Sequence, residues 1–283
     1  MTVLFPTALP TAGWATARGS RRVAADAAAV RTSPTASSPT AFAAAVADGI
    51  GDTESAASAA RFAAAEAVDS AWRAGASEAM EDVRRGLHLS TQPTNPLGVP
   101  LPRPETLPLP TTATLPPTPA HDIRRHLTPQ PTDPTPTPAE TPPAPSTRPG
   151  DTTLVVAAGT THQWCVAWVG DCRAYFLPTS DSPTATLLTT DHTIGRYLRD
   201  RGVTANPRLD LVVTTTARKG GHGLVRGSGP GRLVLLTNGV HRATDQATIT
   251  HLARTTTDPA EAARALVALA DEDNAAAVVV DLR

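Results

Sequence analysis

Residues 164–177 read WCVAWVGDCRAYFL, and this stretch decides the fold class. Apolar residues occupy both alternating faces of Gln163–Val169, a pattern typical of a strand that is buried on both sides. Gly170 and Asp171 then indicate a turn, and Ala174–Leu177 is predicted to be the returning strand of a hairpin. The stretch therefore places an acidic residue at the end of a fully buried strand.

Further strands and helices are predicted on either side of this stretch. The strands are Thr40–Val46, Thr153–Ala158, Leu187–Leu188, Arg232–Leu236 and Ala276–Leu282. The helices are Thr53–Ala74, Ser77–Leu89, Thr193–Arg201, a segment capped by Thr244 or Asp245, and Asp258–Ala270. Because the strands come in hairpins and the helices in pairs, the chain is predicted to be a layered α+β domain and not a series of βαβ units.

A proline-rich insert interrupts this domain. Of the 28 prolines in the chain, 19 lie between Thr91 and Gly150, mixed with Thr, Ser and Ala. Proline removes backbone donors and favours extended geometry, so residues 91–149 are predicted to be disordered or polyproline II. The insert divides the domain into parts at 1–90 and 150–283. It is either a plain linker or a segment that docks a partner.

Composition excludes several classes of protein. With 283 residues, 40% of them apolar, the chain can bury a core, and a formal net charge of −1 makes nucleic acid or an anionic membrane a poor partner. The N-terminal residues 1–14 lack an early positive charge, and no apolar run is long enough to span a membrane. We therefore expect a cytoplasmic protein. Cys165 and Cys172 are expected to be free thiols, and a redox switch across the predicted hairpin is the alternative.

Acidic or amide side chains stand at the ends of several predicted strands, next to Gly or Asn. They are Asp48, Asp171, Asn238 and Asp273. Each of them alone is typical of a turn, because Asp, Asn and Gly dominate turns for backbone reasons. Since each adjoins a buried apolar strand, we expect them to converge at one end of a sheet.

Six segments, in order along the chain, resemble the motifs of the type 2C (PPM-type) metal-dependent protein serine/threonine phosphatases, in their bacterial form. The segments are RRVAAD at 21–26, VADGIG at 46–51, WVGDCRAY at 168–175, TDHT at 190–193, PGRLVLLTNG at 230–239, and DN at 273–274 before the last strand. The resemblance implies a four-layer αββα sandwich, with two mostly antiparallel central sheets flanked by helix pairs. It also implies dephosphorylation of phosphoserine and phosphothreonine in proteins by a metal-bound water.

The resemblance further implies a site with two Mn²⁺ or Mg²⁺ ions and a weak third one. Asp48 would bridge the two ions, and the Gly49 carbonyl would bind one of them. Asp273 would complete a shell, and Asp171 would serve the third ion. Arg21 would hold the substrate phosphate by a bidentate contact, a geometry that suits a planar guanidinium. Two further positions of the implied metal site are Asp26 and Asn238.

Two positions depart from the family pattern. Asn238 stands where the family has a metal-ligating Asp, and Ala24 and Ala25 stand where it has Asn and Glu. With fewer anionic ligands, a divalent cation should bind more weakly and activity should be reduced. The alternative is a catalytically inactive pseudophosphatase that binds a phosphorylated protein client without hydrolysing it.

Overall fold

The strands and helices of the chain are seen in a computed structural model, which describes residues 9–35, 38–89, 149–179 and 185–282. The strands are β1 (Thr11–Ala17), β2 (Asp26–Thr32), β3 (Phe42–Gly49), β4 (Thr152–Gly159), β5 (Gln163–Val169), β6 (Arg173–Pro178), β7 (Thr186–Leu187), β8 (Gly223–Ser228), β9 (Gly231–Leu236) and β10 (Ala275–Leu282). The helices are α1 (Glu54–Ala74), α2 (Ala76–Leu89), α3 (Ile194–Arg199), α4 (Asn238–Ala243), α5 (Gln246–Thr255) and α6 (Pro259–Val267), and a 3-10 helix covers Pro207–Leu211. The predicted insert lies, up to residue 148, outside the described residues, so its disorder and its docking role stay predictions.

The strands form two five-stranded sheets in which every pairing is antiparallel. Sheet I has the order β1-β10-β9-β6-β7, and sheet II has the order β2-β3-β4-β5-β8. Every residue of β10 is buried, because one face of this central strand meets the other sheet and the other face meets helices. The sequences of such central strands are therefore largely continuous apolar runs.

Strand β3 shows how the layers are built. Its residues Ala43, Ala45 and Ala47 pack in one apolar cluster with α1 and α2, whereas Phe42 and Val46 pack in the cluster between the two sheets. This division follows from the period of two along a strand. Helices α5 and α6 cover the outer face of sheet I in the same way. The predicted four-layer αββα sandwich is therefore confirmed.

The predicted hairpin around Gly170 is wrong. Strand β5 pairs with β4 and β8 in sheet II, whereas β6 pairs with β9 and β7 in sheet I. The chain crosses from one sheet to the other at Gly170, Asp171 and Cys172, and Gly170 has φ 79°. The apolar pattern indicated burial correctly, but it carries no information on which sheet a strand joins. As a result, Asp171 lies at the crossing between the sheets.

The two cysteines face different layers. Cys165 packs on the helix side of sheet II, and Cys172 is buried between the sheets, where its Sγ lies 3.1 Å from the Thr153 hydroxyl oxygen. Both are free. The expectation of free thiols is thus confirmed, and the alternative of a redox pair across a hairpin is wrong.

Several boundaries differ from those predicted. Strand β3 continues past Val46 through Asp48 and Gly49, because both residues keep Cα partners in β4. Helix α6 begins after Asp258 with Pro259 at its first position, as predicted, but ends at Val267. The segment after β9 is not a turn but the start of α4. In the part of the chain that the structure describes, no helix is both long and apolar enough to cross a membrane.

Candidate active site

One cleft of about 190 Å³ brings together side chains from segments that are far apart in the sequence. Its lining includes Arg21, Asp48, Gly49, Asp171, Asn238 and Asp273. Strand β3 supplies Asp48 and Gly49, the crossing between the sheets supplies Asp171, and Asp273 lies just before β10. The expected convergence of these residues is therefore found, whereas their assignment as metal ligands stays a prediction.

Asp26 and Asp48 form a pair of carboxylates on neighbouring strands. They are Cα partners in the β2–β3 ladder, a position where side chains lie close and like charges repel. Asp26 is only 9% exposed, and neither of its carboxylate oxygens has a hydrogen-bond partner among the described residues. Burial raises the pKa of Asp26 to about 7. Burial, and then the charges of Asp26, Asp171 and Asp273, raise the pKa of Asp48 well above its usual range.

Gly49 fits its place only because it lacks a side chain. A Cβ at this position would lie 2.6 Å from the Ala56 carbonyl oxygen and 2.7 Å from the Ala25 carbonyl oxygen. The Gly49 N–H donates to that Ala25 carbonyl at 3.1 Å. Ala25 itself is 1% exposed. The position where the related motif has a Glu is thus a small buried residue that supplies no carboxylate to the cleft.

Arg21 stands at the mouth of the cleft and is held by Asp273. Its Nε donates to Asp273 Oδ1 at 2.9 Å, and this hydrogen bond raises the pKa of the guanidinium. The same carboxylate oxygen accepts the Asn274 N–H at 2.9 Å. Among the described residues, the two Nη groups of Arg21 make no hydrogen bond, so they are available to an oxyanion in the cleft.

Asp171 is the most buried carboxylate of the cleft, with 1% exposure. Its Oδ2 accepts hydrogen bonds from Arg242 Nη2 at 2.7 Å and from Asn238 Nδ2 at 3.3 Å. Its Oδ1 has no partner in the described parts of the chain. Burial raises the pKa of Asp171, and the Arg242 charge opposes that rise. This side of the cleft therefore already contains a cation.

His241 supports Asp171 from the backbone side. Its Nε2 donates to the Asp171 carbonyl at 2.9 Å, and burial lowers the pKa of the imidazole to about 4. A neutral ring with its proton on Nε2 suits this contact. Neither His241 nor Arg242 was predicted from the sequence. The signal that could have found Arg242 is its spacing of four residues from Asn238, which brings the two side chains together only on a helix.

The fit to divalent cations differs between the two sides of the cleft. The described residues, as they stand, contain no group of three or more His, Cys, Asp or Glu side chains that could hold a metal ion. The unpartnered carboxylate oxygens of Asp26, next to Asp48, are nonetheless the hard anionic ligands that Mg²⁺ or Mn²⁺ prefers. The carboxylates of Asp26 and Asp48 are thus of a type that suits a divalent cation, although Asp26 is not among the residues that line the cleft. The carboxylate of Asp171 is instead bound to an arginine.

No protein-family model matches the chain, and no curated protein matches it. Solved structures do match. The serine/threonine phosphatase PstP/Ppp of Mycobacterium tuberculosis is 18% identical with a TM-score of 0.63, over 97% of this chain and 99% of that one. The phosphatase Stp1 of Staphylococcus aureus is 16% identical with a TM-score of 0.66, over 96% of this chain and 94% of that one.

A third match names the fold. The PPM Ser-Thr phosphatase MsPP of Mycobacterium smegmatis, solved in complex with cacodylate, is 21% identical with a TM-score of 0.61, over 96% of this chain and 98% of that one. This chain has the PPM-type phosphatase fold. The resemblance inferred from the sequence is thereby confirmed for the fold. At such identities, the likeness is one of fold.

Proposed function

We propose that this chain is a metal-dependent phosphatase that acts on phosphoserine or phosphothreonine in proteins, with reduced turnover. The observation that carries the proposal is the carboxylate pair Asp26–Asp48, which lies beside a cleft with an arginine at its mouth. The PstP catalytic domain was solved in complex with two manganese ions and shares the PPM-type fold. Two Mn²⁺ or Mg²⁺ ions are proposed as the cofactors here, and the cytoplasm as the location.

In this proposal, Asp48, the Gly49 carbonyl and Asp273 would hold the cations, and Asp26 adds negative charge beside Asp48. When bound, the cations supply an activated water nucleophile and neutralise charge on the transferring phosphoryl oxygens. The carboxyl of Asp26, with its pKa near 7, holds a proton in much of the metal-free protein at neutral pH. Because cation binding favours the ionised carboxylates, we expect metal affinity to rise as the pH increases through about 7.

Arg21 would bind and orient the phosphate group. Its Nε is held by Asp273, so the side chain is fixed while the Nη groups stay open toward the cleft. The guanidinium keeps its charge at all working pH values, and its planar set of N–H donors matches two phosphate oxygens. Orientation by such a clamp lowers the entropic part of the barrier.

The proposed turnover is reduced because two positions of the site, Asn238 and Ala25, lack a carboxylate. Asn238 has an amide where a carboxylate would bind a cation, and that amide faces Asp171 through its Nδ2. Ala25 is buried and has no ligand atom in its side chain. A site with fewer anionic ligands holds its cations more weakly, so a smaller fraction of the protein is active at a given metal concentration.

The test is phosphate release from a phosphothreonine peptide by the full chain, with Mn²⁺ and with EDTA. We expect Mn²⁺-dependent release that falls at least about 100-fold in Asp48→Asn, since that carboxylate would bind both cations. The matched control is Asp69→Asn, which removes an exposed carboxylate of α1 in a weak surface ion pair. Equal rates in Asp48→Asn and the wild type, or no Mn²⁺-dependent rate in the wild type, would contradict the proposal.

A second candidate function is recognition of a phosphorylated protein client without hydrolysis. It is favoured by the ion pair between Arg242 and Asp171, which places an arginine where a metal-dependent site would use cations. The two candidates give different results in EDTA. A binding module keeps its affinity for the phosphopeptide after EDTA treatment and shows no turnover when Mn²⁺ is added, whereas the phosphatase gains turnover with Mn²⁺.

A further inference from the structure

Arg242 makes two contacts that fix its guanidinium at the cleft. Its Nη2 donates to the buried Oδ2 of Asp171 at 2.7 Å and to the Asp210 carbonyl at 2.9 Å. Asp210 is itself held by Arg199 through hydrogen bonds of 3.0 and 2.6 Å. The Arg242 side chain is thus attached to the crossing between the sheets and to the 3-10 helix Pro207–Leu211. These contacts hold the guanidinium in place.

The charge of Arg242 bears directly on what Asp171 can bind. The carboxylate is 1% exposed, so its charge needs a partner inside the protein. The guanidinium supplies that partner. A divalent cation on the same carboxylate would lie close to the guanidinium, and the two positive charges would repel each other.

The remaining donors of Arg242 are free for a ligand. The side chain is 33% exposed and lines the cleft together with Arg21. Within the described residues, Arg242 Nε and Nη1 make no hydrogen bond, whereas Nη2 makes the two contacts above. An oxyanion in the cleft would therefore meet N–H donors from two arginines, each anchored through another nitrogen by an aspartate.

We infer that Arg242 is the resident cation of the Asp171 side of the cleft: it takes the place of a metal ion at Asp171 and binds a phosphate oxygen directly. Asp171 is then a positioning residue for Arg242 and not a metal ligand. The phosphate part of this inference rests on the proposed function, whereas the metal part does not. Any divalent cations of the cleft belong to the Asp26–Asp48 side.

The metal part is tested by titrating Mn²⁺ into the metal-free full chain by calorimetry. In Asp171→Asn, we expect the Mn²⁺ affinity to stay within about threefold of the wild type, because no ligand has been lost. In Arg242→Gln, we expect a new Mn²⁺ site or binding that is tighter by about tenfold, because the competing cation is gone. Arg208 is an exposed arginine in the 3-10 helix Pro207–Leu211, which Arg242 contacts. Arg208→Gln removes an equal charge and should behave like the wild type.

Each outcome of this titration either supports or overturns the inference. A loss of more than about threefold in Asp171→Asn means that Asp171 is a ligand and overturns the inference. Unchanged binding in a folded Arg242→Gln variant overturns it as well. Because Arg242→Gln leaves a buried charge unpaired and could fail to fold, the result for Asp171→Asn decides in that case. If the wild type binds no Mn²⁺ at all, the proposed function fails, yet a gain in Arg242→Gln still supports the inference.

The phosphate part is tested with inorganic phosphate in EDTA. The comparison is the wild type against the double variant Asp171→Asn with Arg242→Gln, since neither carries an unpaired buried charge. We expect phosphate affinity to fall about tenfold in the double variant, by loss of a charge-assisted hydrogen bond. Arg21→Gln should lower the phosphate affinity as well, because Arg21 lines the same cleft. Equal affinities in the wild type and the double variant would overturn this part.

Discussion

The two sides of the cleft use the same residue type in opposite electrostatic settings. On one side, Asp26 and Asp48 face each other across β2 and β3, and the oxygens of Asp26 have no partner among the described residues. On the other side, Asp171 is more deeply buried but is bound by Arg242. Burial alone therefore does not make a carboxylate a cation site.

The comparison shows that the function of a buried carboxylate depends on the group it is paired with. Two neighbouring carboxylates without a cationic partner repel each other, and a bound cation relieves that repulsion. A fully buried carboxylate held by a guanidinium, such as Asp171, has its charge neutralised inside the fold, whereas Asp273 beside Arg21 is 37% exposed. The first arrangement favours binding of an external cation. The second favours a fixed internal contact. The following changes test this contrast, beginning with the largest expected effect.

Asp26→Asn should stabilise the metal-free protein and flatten the pH dependence of its stability. In the folded chain the pKa of Asp26 is about 7, against an ordinary value of 3.8. Between these two values the folded state binds more protons than the unfolded state, so the free energy of unfolding falls as the pH rises. The expected gain of the variant above pH 7 is roughly 2 to 4 kcal/mol.

The measurement is urea denaturation in EDTA at pH 5 and pH 8. Asp69→Asn serves as the control, because it removes a carboxylate that is 61% exposed. Equal losses of stability between the two pH values in the wild type and in Asp26→Asn would show that burial does not raise the pKa of Asp26 in the folded chain.

Asn238→Asp should raise the Mn²⁺ affinity by about tenfold, because it returns a carboxylate to the cleft. The gain is limited because Asn238 Nδ2 now donates to Asp171 Oδ2, and a carboxylate there would face that oxygen instead. Calorimetry with Mn²⁺ measures the effect. Asn206→Asp adds the same charge at the cap of the 3-10 helix and should leave the affinity unchanged. An equal gain in both variants would indicate a general charge effect and not a restored ligand.

Arg21→Lys should have the smallest effect, a rise in KM for a phosphopeptide of about fivefold with the Mn²⁺ affinity unchanged. Lysine keeps the charge but loses the planar set of donors that holds Asp273 and phosphate together. Steady-state kinetics at saturating Mn²⁺ separate KM from kcat. The control is Arg22→Lys at the neighbouring position, where the Arg22 side chain donates to the Asp52 carbonyl. A collapse of kcat at constant KM would assign Arg21 to a step other than phosphate binding.

Much of the fold could be predicted from local sequence signals. The apolar run of β5 and the Asp258–Pro259 start of α6 were both identified correctly. Burial and helix capping each produce a sequence pattern that is only a few residues long. Strands β1, β2 and β8 were missed. They are rich in Ala or Gly, residues with low strand propensity, and they are strands because of their neighbours in the sheets.

The site was predicted in part. The acidic strand ends could be found because each adjoins an apolar run, and the motif resemblance put them in one place. Arg242 was missed because the segment at Asn238 was interpreted as a turn, and a spacing of four residues brings side chains together only on a helix such as α4. The wrong hairpin at Gly170 has the same origin: sheet membership depends on partners that are distant in the chain.

The crossing at Gly170 also has a consequence for the order of folding. Asp171 directly precedes β6, and Arg242 follows β9, the partner of β6 in sheet I, so their contact requires segments 71 residues apart to come together. Contacts this far apart in sequence form late, after loop-closure entropy has been overcome. A partly folded chain thus has no assembled cleft, and occupancy of the cleft by a ligand reports the fully native state alone.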